Sequence, residues 1–203
     1  MGGDKAIIFD LGKVLVDFDY SITVRKIISQ CAKGPESVLK LIDQSPILHQ
    51  YESGEMDTLG FYETVVRETG YQGSREGFES AFSGIFTPIH PMIEFFRELI
   101  GEGVPVYVLS NTNELAIRYV EVIFPEINRA TGRVYSWEEK CMKPDPKIYE
   151  ITEGRIEKKG SDLFFTDDRQ ENIDAAKARG WNTVLHQEPD QTIDAIRRFL
   201  GGN

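Results

Sequence analysis

The chain has few of the residues that build metal clusters, disulfide frameworks or nucleic-acid surfaces. Of its 203 residues, two are cysteine (Cys31 and Cys141) and three are histidine (His49, His90 and His186). The cysteines follow neither a metal-ligand nor a redox spacing. They read as two unpaired thiols in a reducing compartment, which excludes a disulfide scaffold. The histidines are scattered and form no zinc set; His90 and His186 read as structural. No segment approaches the ~20 consecutive apolar residues of a membrane span. A single lysine precedes the first apolar run, so no signal peptide is expected and the location expected is cytoplasmic. Positive charge is also short: 23 Lys and Arg against 33 Asp and Glu give a formal net charge of −10, with a pI of about 4.9. This disfavours nucleic acid and anionic membrane as partners. It also means that an anionic substrate must be met by positive charge concentrated locally.

What remains is an ordinary globular composition, 40% hydrophobic and 28% charged. The length suits one core domain with a subsidiary insert. Apolar runs at Ala6–Phe9, Val104–Leu109, Arg133–Trp137, Asp162–Thr166 and Thr183–Leu185 predict strands. Helical patterns lie between them at about 91–101, 113–123, 145–155, 171–179 and 191–200. Alternation of this kind predicts an α/β fold, a Rossmann-like, doubly wound parallel sheet covered on both faces. The rhythm breaks over residues 18–87, where there is no convincing strand. Helical patterns such as Ile22–Gln30, Pro35–Leu41 and Leu59–Thr69 stand there between Gly, Pro and Ser punctuation. The domains expected are therefore a core of residues 1–17 and 88–203, and a small helical cap, 18–87, inserted after the first strand. A set of helices packed on the sheet face is the other reading of that block. No exposed apolar stripe stands out, so a monomer is expected.

Four segments carry chemistry, each at or just past a predicted strand end. The first strand delivers Asp10 to its carboxyl end, where open α/β sheets bind ligands. An unpaired buried charge there is expensive, although a turn-forming Asp is the plainer alternative. Ser110-Asn111-Thr112-Asn113 follows the second predicted strand, and offers a hydroxyl and helix-start N–H groups to an anion, or simply an N-cap. Lys143 lies in Met142-Lys143-Pro144-Asp145-Pro146, where Pro144 bars it from the α region and stiffens its mount. It reads otherwise as a solvated surface lysine. Asp167 and Asp168 close an apolar strand; hard carboxylate oxygens so placed suit Mg²⁺, while helix capping accounts for one Asp and not both.

The order Asp, Ser-Asn, Lys, Asp-Asp resembles the haloacid dehalogenase (HAD) superfamily over nearly the whole chain. The segments Asp10–Asp19, Leu109–Asn113, Met142–Tyr149 and Phe165–Asn172 look most like a subgroup of bacterial sugar-phosphate phosphatases related to α-D-glucose-1-phosphatase. They also look like the phosphatase domain of soluble epoxide hydrolases. The resemblance implies an Mg²⁺-dependent phosphohydrolase for a small phosphorylated metabolite, with a sugar phosphate favoured. It implies Asp10 as the nucleophile that becomes an aspartyl phosphate, and Ser110 and Asn111 as phosphoryl-holding residues. Lys143 would neutralise nucleophile and phosphate. Asp10, the Gly12 carbonyl, Asp168 and a supporting Asp167 would form the metal site. Charge arithmetic agrees with such a set: each like-charge pair at ~4 Å costs roughly 4 kcal/mol at an effective dielectric of ~20, so a phosphate dianion needs Mg²⁺ and Lys143 in order to approach two carboxylates.

One position departs from the common pattern. Most phosphatases of the superfamily carry an Asp two residues after the nucleophile, as general acid for the leaving group. Here that position is Gly12, as in the subgroup resembled. Loss of a general acid costs on the order of 10²–10⁴ in rate for a poor leaving group. Water, or His49, Glu52 or Glu55 from the cap, are candidate substitutes, and Tyr51, Glu52 and the Gly54 turn are candidate site-facing residues. The same gap leaves two other readings open: a non-catalytic or regulatory ligand-binding protein, and a metal-independent 2-haloacid dehalogenase, against which the Asp167-Asp168 pair argues.

Overall fold

Residues 5–201 are described by a computed structural model of the chain. The apolar run Ala6–Phe9 forms strand β1, and all four residues are fully buried. A strand with no polar alternation needs cover on both faces, which a central parallel position provides. The chain then runs through β2 (Val16–Phe18), α1 (Tyr20–Ile27), α2 (Pro35–Ile42), α3 (Pro46–Glu52), α4 (Thr58–Thr69), α5 (Arg75–Ser83) and β3 (Phe86–Pro88). It continues through α6 (His90–Gly101), β4 (Val106–Ser110), α7 (Glu114–Ile123), β5 (Gly132–Tyr135), α8 (Ser136–Glu139) and α9 (Pro146–Ile156). The last elements are β6 (Leu163–Asp167), α10 (Gln170–Ala178), β7 (Asn182–Leu185) and α11 (Pro189–Gly201).

Five strands make one parallel sheet in the order β5-β4-β1-β6-β7. The chain winds outward from β1 through β4 to β5, then crosses back to place β6 against the other side of β1. This reversal opens a crevice at the carboxyl ends of β1 and β6, where ligands of such sheets bind. Alternate residues of β1 face opposite layers. Ile7 and Phe9 join the cluster that includes Met92, Phe96, Val120, Phe124 and Ile196. Ala6 and Ile8 join the cluster of Ile148, Tyr149, Phe165, Ile173 and Trp181.

Two short strands correct the sequence reading at the edges of the helical block. β2 and β3 pair antiparallel, with Val16 opposite Pro88 and Phe18 opposite Phe86. They form a ribbon through which the chain leaves the sheet and returns to it. Three residues per strand are too few for a periodic signal, and Pro88 is acceptable only on such an edge.

Helices α1 to α5 pack around their own apolar cluster, which contains Tyr20, Val38, Ile42, Tyr51, Phe61, Phe78 and Phe82. Phe61 is its centre: it stacks on Tyr51 at 4.6 Å and meets Phe82 edge-on at 5.0 Å. Leu115 of α7 belongs to the same cluster, and α7 also packs against the sheet through Ile117 and Val120. One helix thus joins block and sheet. Tyr51 and Thr58 strengthen the joint. The Tyr51 hydroxyl lies 2.8 Å from Thr58 Oγ1, which donates to Glu114 Oε2 at 2.7 Å. Among the described residues no helix is long and apolar enough to cross a membrane, and Cys31 and Cys141 are both free thiols. Phe61→Ala is expected to lower the unfolding free energy by about 3–5 kcal/mol, measured by urea titration.

Candidate active site

The carboxyl end of the sheet is built around one ammonium group. Lys143 precedes α9, and its peptide bond to Pro144 is cis. Asn111 holds its backbone from both sides: Lys143 N–H donates to Asn111 Oδ1 at 2.8 Å, and Asn111 Nδ2 donates to the Lys143 carbonyl at 2.8 Å. The ammonium so placed donates to Asp10 Oδ1 at 2.7 Å, Asp167 Oδ2 at 2.6 Å and the Leu109 carbonyl at 2.9 Å. All three of its N–H groups are therefore engaged, by the ends of β1, β6 and β4. The ammonium also lies 5.4 Å from the centroid of the Phe165 ring, a cation–π contact.

The three carboxylates differ in what surrounds them. Asp10 is buried and continues the β1 ladder, its N–H donating to the Thr166 carbonyl at 2.9 Å. Asp167 is fully buried and saturated: besides Lys143 it accepts from Arg169 N–H at 2.8 Å and from Asn172 Nδ2 at 2.9 and 3.0 Å. Asp168 is exposed, beside a cleft lined by Lys13, Ile89 and His186. One oxygen from each carboxylate lies within 4.8 Å of those of the other two.

Three carboxylates face one ammonium, so the cluster carries two unbalanced negative charges when all its groups are ionised. Its titration reflects this. Burial pushes the Asp10 carboxyl up to about 7, with Lys143 opposing and Asp167 and Asp168 adding. Asp168 is raised by burial and by Asp167. Burial works against the Lys143 ammonium, but Asp10 and Asp167 outweigh it and its pKa lies above the ordinary value.

The loop after β4 brings further groups. Ser110 is buried, and its hydroxyl makes only a long contact, 3.4 Å, to the Asn111 carbonyl. The Asn111 side chain is occupied by Lys143, so the amide of this residue braces the lysine. Thr112 N–H donates to Ser136 Oγ at 2.9 Å, and Asn113 caps α7 by accepting from Ala116 N–H at 3.0 Å. Gly12 sits in the turn after Asp10, followed by Lys13 at φ +59°. A Cβ at Gly12 would lie 2.9 Å from Phe18 Cε1, so the Phe18 ring fills the space that a side chain at 12 would take.

Of the three block residues named as stand-ins for an acid at position 12, His49 and Glu55 are exposed and Glu52 is half-buried. Glu52 ends α3. Its carbonyl accepts from Ser136 Oγ at 2.6 Å, and its carboxyl makes no hydrogen bond or ion pair among the described residues. Burial raises that carboxyl to about 8, with Arg169 opposing and Asp10 adding. Sequence reasoning assigned no part to Asn172 or Ser136. Asn172 stands five residues after Asp167 in a recognisable segment, whereas nothing in the sequence marks Ser136.

Residues 5–180 match the family of haloacid dehalogenase-like hydrolases. The chain belongs to this family and is a hydrolase. It is 28% identical over 200 residues to the sesquiterpene phosphatase of Aspergillus oryzae, covering 97% of each chain. It is 25% identical over 198 residues to the D-ribitol-5-phosphate phosphatase of Bacteroides thetaiotaomicron, covering 94% of each. Its fold is that of a HAD family enzyme from Bacteroides thetaiotaomicron crystallised with magnesium and inorganic phosphate. That likeness has a TM-score of 0.80 at 22% identity, covering 90% of this chain and 94% of that one.

The raised Glu52 carboxyl has a consequence for stability. Between its ordinary pKa of 4.5 and about 8, the folded chain keeps a proton that the unfolded chain releases. Glu52 therefore destabilises the fold progressively as pH rises through that window, and levels off above it. Melting temperatures measured across the window should show Glu52→Gln equal to the parent at its acid end and increasingly more stable toward its alkaline end.

Proposed function

We propose that the protein is an Mg²⁺-dependent phosphatase of small phosphorylated metabolites, sugar phosphates first among them, acting through an aspartyl phosphate on Asp10. The observation that carries this reading is the Lys143 cluster. It presents a buried carboxylate at the crevice, holds it by an ammonium, and leaves the cluster as a whole, when ionised, with two unbalanced negative charges that a hard divalent cation would neutralise. Two relatives matched over nearly the whole of both chains are phosphatases, and the HAD enzyme from Bacteroides thetaiotaomicron was crystallised with magnesium and phosphate, which support the same choice.

In this reading Asp10, Asp168 and the Gly12 carbonyl would hold the metal, with Asp167 in support as the brace of Lys143. The metal supplies charge neutralisation and orientation of the phosphoryl oxygens. The chain's own residues do the rest. Asp10 attacks phosphorus in line. Lys143 keeps Asp10 oriented and offsets charge on the phosphoryl group. Ser110 Oγ and the Asn111 backbone N–H receive its oxygens at the end of β4. Residues 18–87 act as the cap over the crevice, with the core formed by 1–17 and 88–203, which limits the substrate to a small molecule and excludes water during transfer. Against a metal-independent dehalogenase stands the pair Asp167-Asp168, whose second member is exposed at the cleft and suits a metal.

The test is phosphate release from p-nitrophenyl phosphate and from a panel of sugar phosphates. Turnover is expected with Mg²⁺, lost in EDTA and restored by added Mg²⁺, with Asp10→Asn at background. Parent enzyme that does no better than Asp10→Asn on every ester contradicts the proposal, and halide release from 2-haloacids without metal replaces it.

A further inference from the structure

Position 12 is closed as a source of protons. Any side chain there displaces the Phe18 ring, which is packed against Tyr20 at 5.6 Å and Phe86 at 5.9 Å and covered by the Lys13 ammonium at 4.6 Å. The two fully buried charged groups beside Asp10 are engaged. The three N–H groups of Lys143 are all donated, and Asp167 is saturated. Asp168 is exposed at the cleft with Lys13 and His186, and the proposed metal would occupy it. With position 12, Lys143 and Asp167 so occupied, the helical block is the next source of a proton for a leaving alkoxide.

Glu52 is placed there by the backbone. The Ser136 hydroxyl donates to the Glu52 carbonyl at 2.6 Å while accepting from Thr112 N–H at 2.9 Å. One hydrogen-bonded hydroxyl thus separates Glu52 from the loop that begins at Ser110. Two residues on, Lys140 Nζ donates to the Gly54 carbonyl at 2.7 Å. Gly54 has φ +69°, and a Cβ there would fall 2.2 Å from the Trp137 carbonyl oxygen, so only glycine lets the turn lie this close to α8. The preceding Tyr51 hydroxyl is tied to Thr58 and accepts a long bond, 3.4 Å, from Leu115 N–H. A segment clasped at three points carries a carboxyl that makes no bond of its own, with Asp10 and Arg169 as its charged neighbours.

We propose, resting on the phosphatase reading above, that Glu52 is the general acid and base of the reaction, taking from the cap side the part that Gly12 cannot play. In the first step an Asp10 oxygen bonds to phosphorus, the phosphorus–oxygen ester bond breaks, and the leaving oxygen keeps the electron pair and takes the Glu52 proton. In the second step a water oxygen attacks phosphorus, one water proton passes to the Glu52 carboxylate, and the Asp10–phosphorus bond breaks to restore both groups. The elevated pKa of Glu52 keeps the required proton in place at neutral pH. The chemistry favours esters whose leaving group is an unactivated alcohol, because these need the proton most.

The test compares two leaving groups in the Mg²⁺-loaded enzyme: an alkyl phosphate such as a hexose 6-phosphate, and p-nitrophenyl phosphate. Glu52→Gln should lower kcat/KM for the alkyl ester by about 10²–10⁴-fold and for the aryl ester by less than about tenfold, with the melting temperature not reduced. Glu52→Asp should recover part of the alkyl-ester rate. Equal losses on the two esters, or no loss on either, overturn the role of Glu52 and leave the phosphatase reading standing. Parent enzyme inactive on both esters overturns the phosphatase reading and this role with it.

Discussion

Lys143 reaches from the loop before α9 to the ends of three neighbouring strands, and its ammonium is where their charges meet. Without it, Asp10 and Asp167 would face each other as buried carboxylates with no counter-charge, a situation that costs several kcal/mol per ion. With it, they are held 2.7 and 2.6 Å from one nitrogen and fixed in relation to the crevice between β1 and β6. The supporting cast is arranged to the same end. Asn111 locks the lysine backbone, Asn172 satisfies Asp167, and Phe165 lies beneath the ammonium. The remaining imbalance of charge is what supports the proposal of a cation site over a purely structural ion pair. With a net charge of −10 on the chain and three carboxylates around one ammonium here, the proposed phosphate substrate would be met by Lys143 together with a bound cation and not by the cluster alone.

The helical block is coupled to this centre through few residues. α7 contributes Leu115 to the block's core and Ile117 and Val120 to the sheet's. Ser136, at the start of α8, joins the loop after β4 to the end of α3. Phe18, on the ribbon that leads into the block, occupies the space next to Gly12. The absence of an acid at position 12, the placement of Phe18 and the clasp on the segment of Glu52 are the observations behind the role proposed for that carboxyl.

Much of the frame was legible because its signals are local. β1, β4 and β6 read as strands because central parallel strands are continuous apolar runs, and each ends in, or runs directly into, a candidate site residue. Asp10, Ser110, Lys143 and the Asp167-Asp168 pair were found by their order at strand ends, and the structure brings Asp10, Lys143, Asp167 and Asp168 together. The ribbon of β2 and β3 was not legible, since three-residue strands with an edge proline leave no period. Ser136 leaves no signal because its partner is distant in sequence, a carbonyl 84 residues away, whereas Asn172 stands only five residues after the carboxylate it satisfies and was open to assignment. Position 52 was one of three equal candidates. Choosing it over His49 and Glu55 needed the tertiary contacts that bury one and expose the others.

The central claim is that Asp10, held by Lys143, accepts the phosphoryl group. The most direct measurement is mass spectrometry of enzyme quenched in acid during turnover of a phosphate monoester with Mg²⁺. The account predicts a phosphoryl adduct on the peptide containing Asp10, absent when Mg²⁺ is withheld. Turnover with an unmodified Asp10 peptide, or an adduct on another residue, would contradict it.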